Sequence, residues 1–169
     1  DDGWTARTLW TGSWGGDKQR LRDFEIGDVD GDGTDEMVLA THDQGVVVVL
    51  ENFFSEGQQE ATELDLKANT YVHEIEIGDV DGDGALEFFA TPSDPNQAKN
   101  TQKGDVVMYR YDGSQYVRTL IDNTVETHAK EILVADMDGD GVSEVFSAVE
   151  AVKKSGVRHS NVDIIVADV

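Results

Sequence analysis

The sequence predicts an all-β protein built from a repeated unit of four short strands, and three observations predict it. The first is a recurring block. It reads Ile26-Gly27-Asp28-Val29-Asp30-Gly31-Asp32-Gly33, then Ile77-Gly78-Asp79-Val80-Asp81-Gly82-Asp83-Gly84, then Val134-Ala135-Asp136-Met137-Asp138-Gly139-Asp140-Gly141. Offsets of 51 and 57 residues fall in the range of repeat architectures. The second is that short runs of β-branched and aromatic residues, bounded by Gly, Asp and Asn, surround every copy. The third is that helical periodicity is absent from all of them.

Each element follows from its place around the block. The alternating segments Asp23-Phe24-Glu25-Ile26, Glu74-Ile75-Glu76-Ile77 and Glu131-Ile132-Leu133-Val134 supply a first strand. After the block, Glu36-Met37-Val38-Leu39-Ala40, Glu87-Phe88-Phe89-Ala90 and Glu144-Val145-Phe146-Ser147-Ala148 supply a second, and residues 46–50, 106–111 and 162–166 a third. A fourth run, at 5–9, 60–66 and 116–120, precedes each unit, and Arg7-Thr8-Leu9 recurs as Arg118-Thr119-Leu120. The expected units cover about 4–52, 60–111 and 116–169 of one domain spanning 1–169. Residues 92–104, with both prolines, and the polar stretch 151–161, with Lys153, Lys154, Arg158 and His159, read as loop insertions between second and third strands. Such loops carry recognition or are tolerated insertions.

Composition narrows the function. The 35 Asp and Glu against 13 Lys and Arg leave a formal charge of −22, which repels a phosphate backbone and argues against nucleic acid. Without cysteine there is no disulfide and no thiolate zinc site. A 38% hydrophobic share with 8% aromatics argues against an acidic disordered tail. No apolar run approaches the roughly 20 residues of a membrane-spanning helix, and no cleavable signal pattern opens the chain, which leaves the compartment open.

Twelve of the acids belong to the pattern Asp-x-Asp-Gly-Asp-Gly-x-x-Glu, repeated three times. Calcium takes six to eight oxygen ligands, and alternating acids in a tight loop aim carboxylates at one centre. Positions 1, 3 and 5 would supply the first oxygens, the backbone carbonyl at position 7 (Thr34, Ala85 or Val142) another, and the acid at position 9 would close the shell. Glycines at positions 4 and 6 permit the curl. No His or Cys lies in any loop, which disfavours zinc and copper, and magnesium prefers to keep its waters. The alternative is a set of acidic turns without metal. An EF-hand is disfavoured, because its position-12 glutamate is replaced by Leu39, Ala90 and Ser147 and the flanks read as strands.

On these residues the units resemble FG-GAP or VCBS-type repeats, the calcium-loop blades of integrin alpha-chain heads and of many secreted bacterial proteins. The resemblance covers nearly the whole chain. It implies a β-propeller with four strands per blade and the metal loop joining two adjacent strands of a blade. It also implies about three Ca²⁺, ligated by Asp28, Asp30, Asp32 and Glu36, by Asp79, Asp81, Asp83 and Glu87, and by Asp136, Asp138, Asp140 and Glu144. The address implied is secreted, extracellular or periplasmic. Propellers have four to eight blades, so three units imply further blades in a longer chain, association with other copies, or an open array.

The resemblance names no single activity, since such propellers serve adhesion, sugar binding and occasionally lyase or dehydratase chemistry. The residues contain no Gly-x-Ser-x-Gly elbow, His-Glu-x-x-His, P-loop or dinucleotide fingerprint, so no catalytic residue is assigned. Three functions remain: a calcium-stabilised module that binds glycan or protein in adhesion, part of a polysaccharide-active propeller enzyme, and a structural subunit of an extracellular assembly. His73, His128 and Lys130 sit where first strands begin; they would line a channel mouth as a ligand site, or form solvated ion pairs. Trp4, Trp10 and Trp14 offer a stacking platform for sugars or core packing.

Overall fold

The computed structural model describes residues 3–15, 19–65, 67, 69–95, 102–124, 128–149, 153–154, 157–158 and 164–167. Among them there is no helix. The strands are β1 (Leu21–Gly27), β2 (Glu36–Thr41), β3 (Val47–Glu51), β4 (Glu60–Asp65), β5 (Tyr71–Gly78), β6 (Glu87–Ser93), β7 (Gly104–Tyr111), β8 (Tyr116–Thr124), β9 (Ala129–Ala135), β10 (Glu144–Val149), β11 (Lys153–Lys154), β12 (Val157–Arg158) and β13 (Ile164–Ala167). They form two four-stranded antiparallel meanders, β1-β2-β3-β4 and β5-β6-β7-β8, a three-stranded sheet β13-β10-β9, and the hairpin β11-β12.

The first three strands of each unit lie where the sequence places them, but the fourth does not. Residues 60–66 and 116–120 do not open units two and three. Glu60–Asp65 pairs with β3, Leu50 opposite Ala61, and Tyr116–Thr124 pairs with β7, Tyr109 opposite Arg118. Ahead of β4 the longer loop 52–59 folds back through the Ser55 amide on the Asn52 carbonyl and the Gln58 amide on the Ser55 carbonyl. Ahead of β8 the link is the four-residue turn 112–115, and strands joined by so tight a turn pair with each other. The Asp112 carboxylate, for one, accepts from the Ser114 and Gln115 amides and closes the β7–β8 turn. Hydrogen-bonded sheets therefore run over 21–65 and 71–124 rather than 4–52 and 60–111, and residues 5–9 form no strand.

Alternation within the strands sends apolar side chains to both faces, and the sheets pack face against face through them. Val38, Ala40, Val47 and Val49 of the first sheet meet Val72, Ile75, Phe88 and Tyr109 of the second. Phe89, Val106 and Met108 on the second sheet's other face meet Ala129, Ile132 and Val145 of the third. Phe88 stacks on Tyr109 with ring centres 4.9 Å apart. Polar ties lock the same contacts: Asp23 accepts from the Ile75 amide at 2.8 Å, and the Ser143 amide donates to the Asp79 carbonyl at 2.9 Å.

Candidate metal centres

Three acidic loops occupy equivalent positions, each joining the first strand of its sheet to the second. They share one hydrogen-bond pattern. The position-1 aspartate accepts from both glycine amides: Asp28 from Gly31 and Gly33 at 2.8 and 3.0 Å, Asp79 from Gly82 and Gly84 at 2.7 and 2.9 Å, Asp136 from Gly139 and Gly141 at 2.6 and 2.9 Å. Position 3 (Asp30, Asp81, Asp138) accepts from the position-5 amide, and position 5 (Asp32, Asp83, Asp140) accepts from the amide of Thr34, Ala85 or Val142. The curl requires left-handed glycines; Gly31 and Gly33 have φ of 76° and 92°.

The position-9 glutamates close each loop from the second strand. Glu36, Glu87 and Glu144 accept from the amides of Val29, Val80 and Met137 at 3.0, 3.2 and 2.9 Å, and Glu36 and Glu87 are buried. Burial, together with the charges of Asp30, Asp32 and Asp28, pushes the Glu36 carboxyl up to about 7. A buried carboxylate amid like charges is what a cation at the loop centre would relieve.

The donor set fits a hard cation, because every side-chain donor is a carboxylate oxygen. One oxygen from each of Asp136, Asp138, Asp140 and Glu144 lies within 4.8 Å of the others, and so do those of Asp28, Asp30 and Asp32, and of Asp79, Asp81 and Glu87. Glu36 does not join the first of these groups, nor Asp83 the second. The second loop already has a cationic neighbour. Arg110 on β7 donates from Nε to Glu87 Oε1 at 2.7 Å and from Nη2 to Asp81 Oδ2 at 2.5 Å. Arg110 is missing from the sequence reading because its relevance depends on the β6–β7 register.

At the other end of the inner strands, His42, His73 and His128 form a row. The His73 ring centre lies 5.4 Å from that of His42 and 5.1 Å from that of His128, and His42 stacks on Tyr71 at 4.0 Å. His73 and His128 are 3% and 1% exposed, so neither is an open channel-mouth group nor a solvated ion pair. His73 Nε2 lies 3.1 Å from Ser93 Oγ, to which buried Gln102 also donates, so the far end of the expected 92–104 loop folds inward. Burial, then Lys130, His128, His42 and Arg22, push the His73 imidazole down to about 3, which keeps it neutral. Glu74 beside it is pushed up by burial and by its hydrogen bond to Asp23.

The tryptophans separate. Trp10 and Trp14 pack on Leu39, Val46 and Val48 of the first sheet, while Trp4 is exposed. Trp10 and Trp14 border an apolar groove of about 480 Å³ with Leu21, Phe24 and Phe53. His159 and residues 96–101 lie outside the described residues.

Antiparallel four-stranded units repeated in tandem, each with an acidic loop between its first two strands, define a β-repeat protein. Residues 28–90, from the first acidic loop into β6, match the family described as FG-GAP-like repeat. Over 89 residues, 47% of this chain, it is 33% identical to rhamnogalacturonan endolyase YesW of Bacillus subtilis (strain 168). The chain spans only 14% of that relative's length. No solved structure matches it significantly.

Proposed function

We propose that this chain is a calcium-binding repeat module of a secreted protein, with its sheets as blades of a β-propeller and calcium in a structural role. The observation that supports it is the threefold recurrence of one loop geometry, down to the acceptor of each glycine amide. In that reading Asp28, Asp30, Asp32, Glu36 and the Thr34 carbonyl hold one ion, Asp79, Asp81, Asp83, Glu87 and the Ala85 carbonyl a second, and Asp136, Asp138, Asp140, Glu144 and the Val142 carbonyl a third. Bound calcium would neutralise the carboxylates and tie the first two strands of each sheet together. The module presents its surfaces to a glycan or protein ligand, as in adhesion, and its outer apolar faces to further blades or to other copies.

The test is thermal unfolding with calcium and with excess EGTA. A ligand that binds the folded state alone stabilises by about 2.7 kcal/mol per independent site at a hundredfold excess over Kd. Chelation should lower Tm markedly, and Asp28→Asn, Asp79→Asn and Asp136→Asn should each remove one share. An unchanged melting curve in EGTA would falsify the calcium assignment.

A second reading, that the chain belongs to an enzyme acting on rhamnogalacturonan, is favoured by the similarity to the endolyase. Release of unsaturated products from that polysaccharide by the longest available form of the protein would support it. Binding to a glycan array without cleavage would favour the binding module.

A further inference from the structure

Glu36 and Glu87 hold the same place in their loops, yet face opposite charges across the sheet. The register that sets Met37 opposite Leu50 puts Glu51 across from Glu36. The register that sets Phe88 opposite Tyr109 puts Arg110 across from Glu87. Arg110 uses that position to bridge two carboxylates of the second loop, at positions 3 and 9. The Glu87 side chain is 1% exposed, so this ion pair neutralises a charge that water does not reach. Glu51 does the reverse. It adds a carboxylate across the strand pair from Glu36, on the side of the first loop. The third unit's corresponding residue lies outside the described residues.

We propose that the first two loops are unequal cation sites, with Arg110 acting as a built-in counter-cation that a divalent ion must displace from Asp81 and Glu87. The second loop then fills after the first, where Glu51 adds to the attraction instead of opposing it. A divalent ion that takes Glu87 Oε1 and Asp81 Oδ2 meets the like charge of the guanidinium, and two charge-assisted hydrogen bonds are given up as Arg110 withdraws. The penalty on the second loop is about tenfold in affinity or more. The loop keeps its shape without metal, because Arg110 supplies the charge that holds it closed.

This rests on the loops binding calcium at all, and the experiment separates the two. Calcium titration of the full chain by calorimetry, repeated on Asp79→Asn, identifies the second loop's isotherm. Arg110→Gln should tighten that isotherm about tenfold, and Glu51→Gln should weaken the first loop's, identified in turn by Asp28→Asn. If Asp79→Asn removes an isotherm that Arg110→Gln leaves unchanged, the counter-cation is wrong while the calcium reading stands. If no variant and not the native chain takes up calcium, both fall. Since Arg110→Gln leaves a buried glutamate unpaired, the unmutated protein gives an independent readout. The Arg110 Nε–H resonance should move only as the second loop fills, after the first is saturated. A shift complete with the first equivalent of calcium would overturn the order of filling.

Discussion

The two ends of the inner strands are built on different principles. At the loop end, three copies of one sequence make three copies of one geometry, because almost every bond there joins residues within seven positions of each other. At the other end His42, His73 and His128 come from three units and meet only because the sheets pack. The loop end concentrates charge and leaves much of it exposed; the histidine end buries titratable rings and keeps His73 neutral. Local geometry therefore carries the charge, and inter-sheet packing excludes it.

Chelation should separate the ends most strongly. In excess EGTA, amide exchange should rise most across 28–36 and 136–144, less across 79–87, which Arg110 holds closed, and least at the amides of His73 and Glu74, both bonded to Thr91 Oγ1. The loss of stability, about 2.7 kcal/mol per site at a hundredfold excess of calcium over Kd, is shared by the whole fold, and the extra deprotection of the loops is what is local to them. Equal deprotection at both ends would break the comparison, because calcium would be holding the sheets together rather than the turns.

The contrast also explains what could be read before the structure. The loop pattern, the first three strands and the all-β class are written in local sequence: the spacing of Asp28, Asp30 and Asp32 needs no distant partner. The pairing of the fourth strand is not written there, because runs 60–66 and 116–120 look alike wherever they pair, and the links around them decide. Arg110 and Glu51 were invisible for a related reason, since each acts across a strand pair whose register the sequence does not display. His73 was legible as a position but not as a buried ring, because its cover comes from Gln102, His42 and His128.

His73→Ala sharpens the comparison from the packed end. It empties a buried site and strips Ser93 and Gln102 of a partner, for a cost of about 2–4 kcal/mol in chemical denaturation. Calcium affinity should be unchanged. A loss of calcium binding along with stability would mean that the two ends are coupled through β5.

Titration should give a smaller difference of defined sign. With the His73 pKa depressed from 6.5 to about 3, the unfolded chain holds a proton there that the folded chain does not. Stability from this group is full above pH 6.5 and is lost as pH falls toward 3. Glu36 and Glu74, whose pKa values are raised, contribute the opposite slope above their ordinary range. The subtraction of His73→Gln from the native protein removes them. The difference in unfolding free energy, measured in EGTA, should shrink as pH drops from 7 to 4. A difference independent of pH would show that His73 titrates alike in the folded and unfolded chain, and its burial would not hold it neutral.

The smallest expected effect is Gly31→Ala, and its size distinguishes strain from crowding. Gly31 has a φ of 76° and nothing within 4 Å of where a Cβ would stand, so the cost is backbone strain alone, about 1 kcal/mol. At the packed end, a Cβ on Gly104 would lie 2.5 Å from the His128 Cβ and 3.1 Å from its Cα. That contact forces two sheets apart, so Gly104→Ala should cost more although its backbone needs no left-handed turn. Melting of both variants in EGTA checks the order. Gly31→Ala should also leave the His73 amide protected, because the loop yields without moving the sheets. If Gly31→Ala proved the costlier change in EGTA, the loops would be part of the packed structure, and the separation of the two ends would fail.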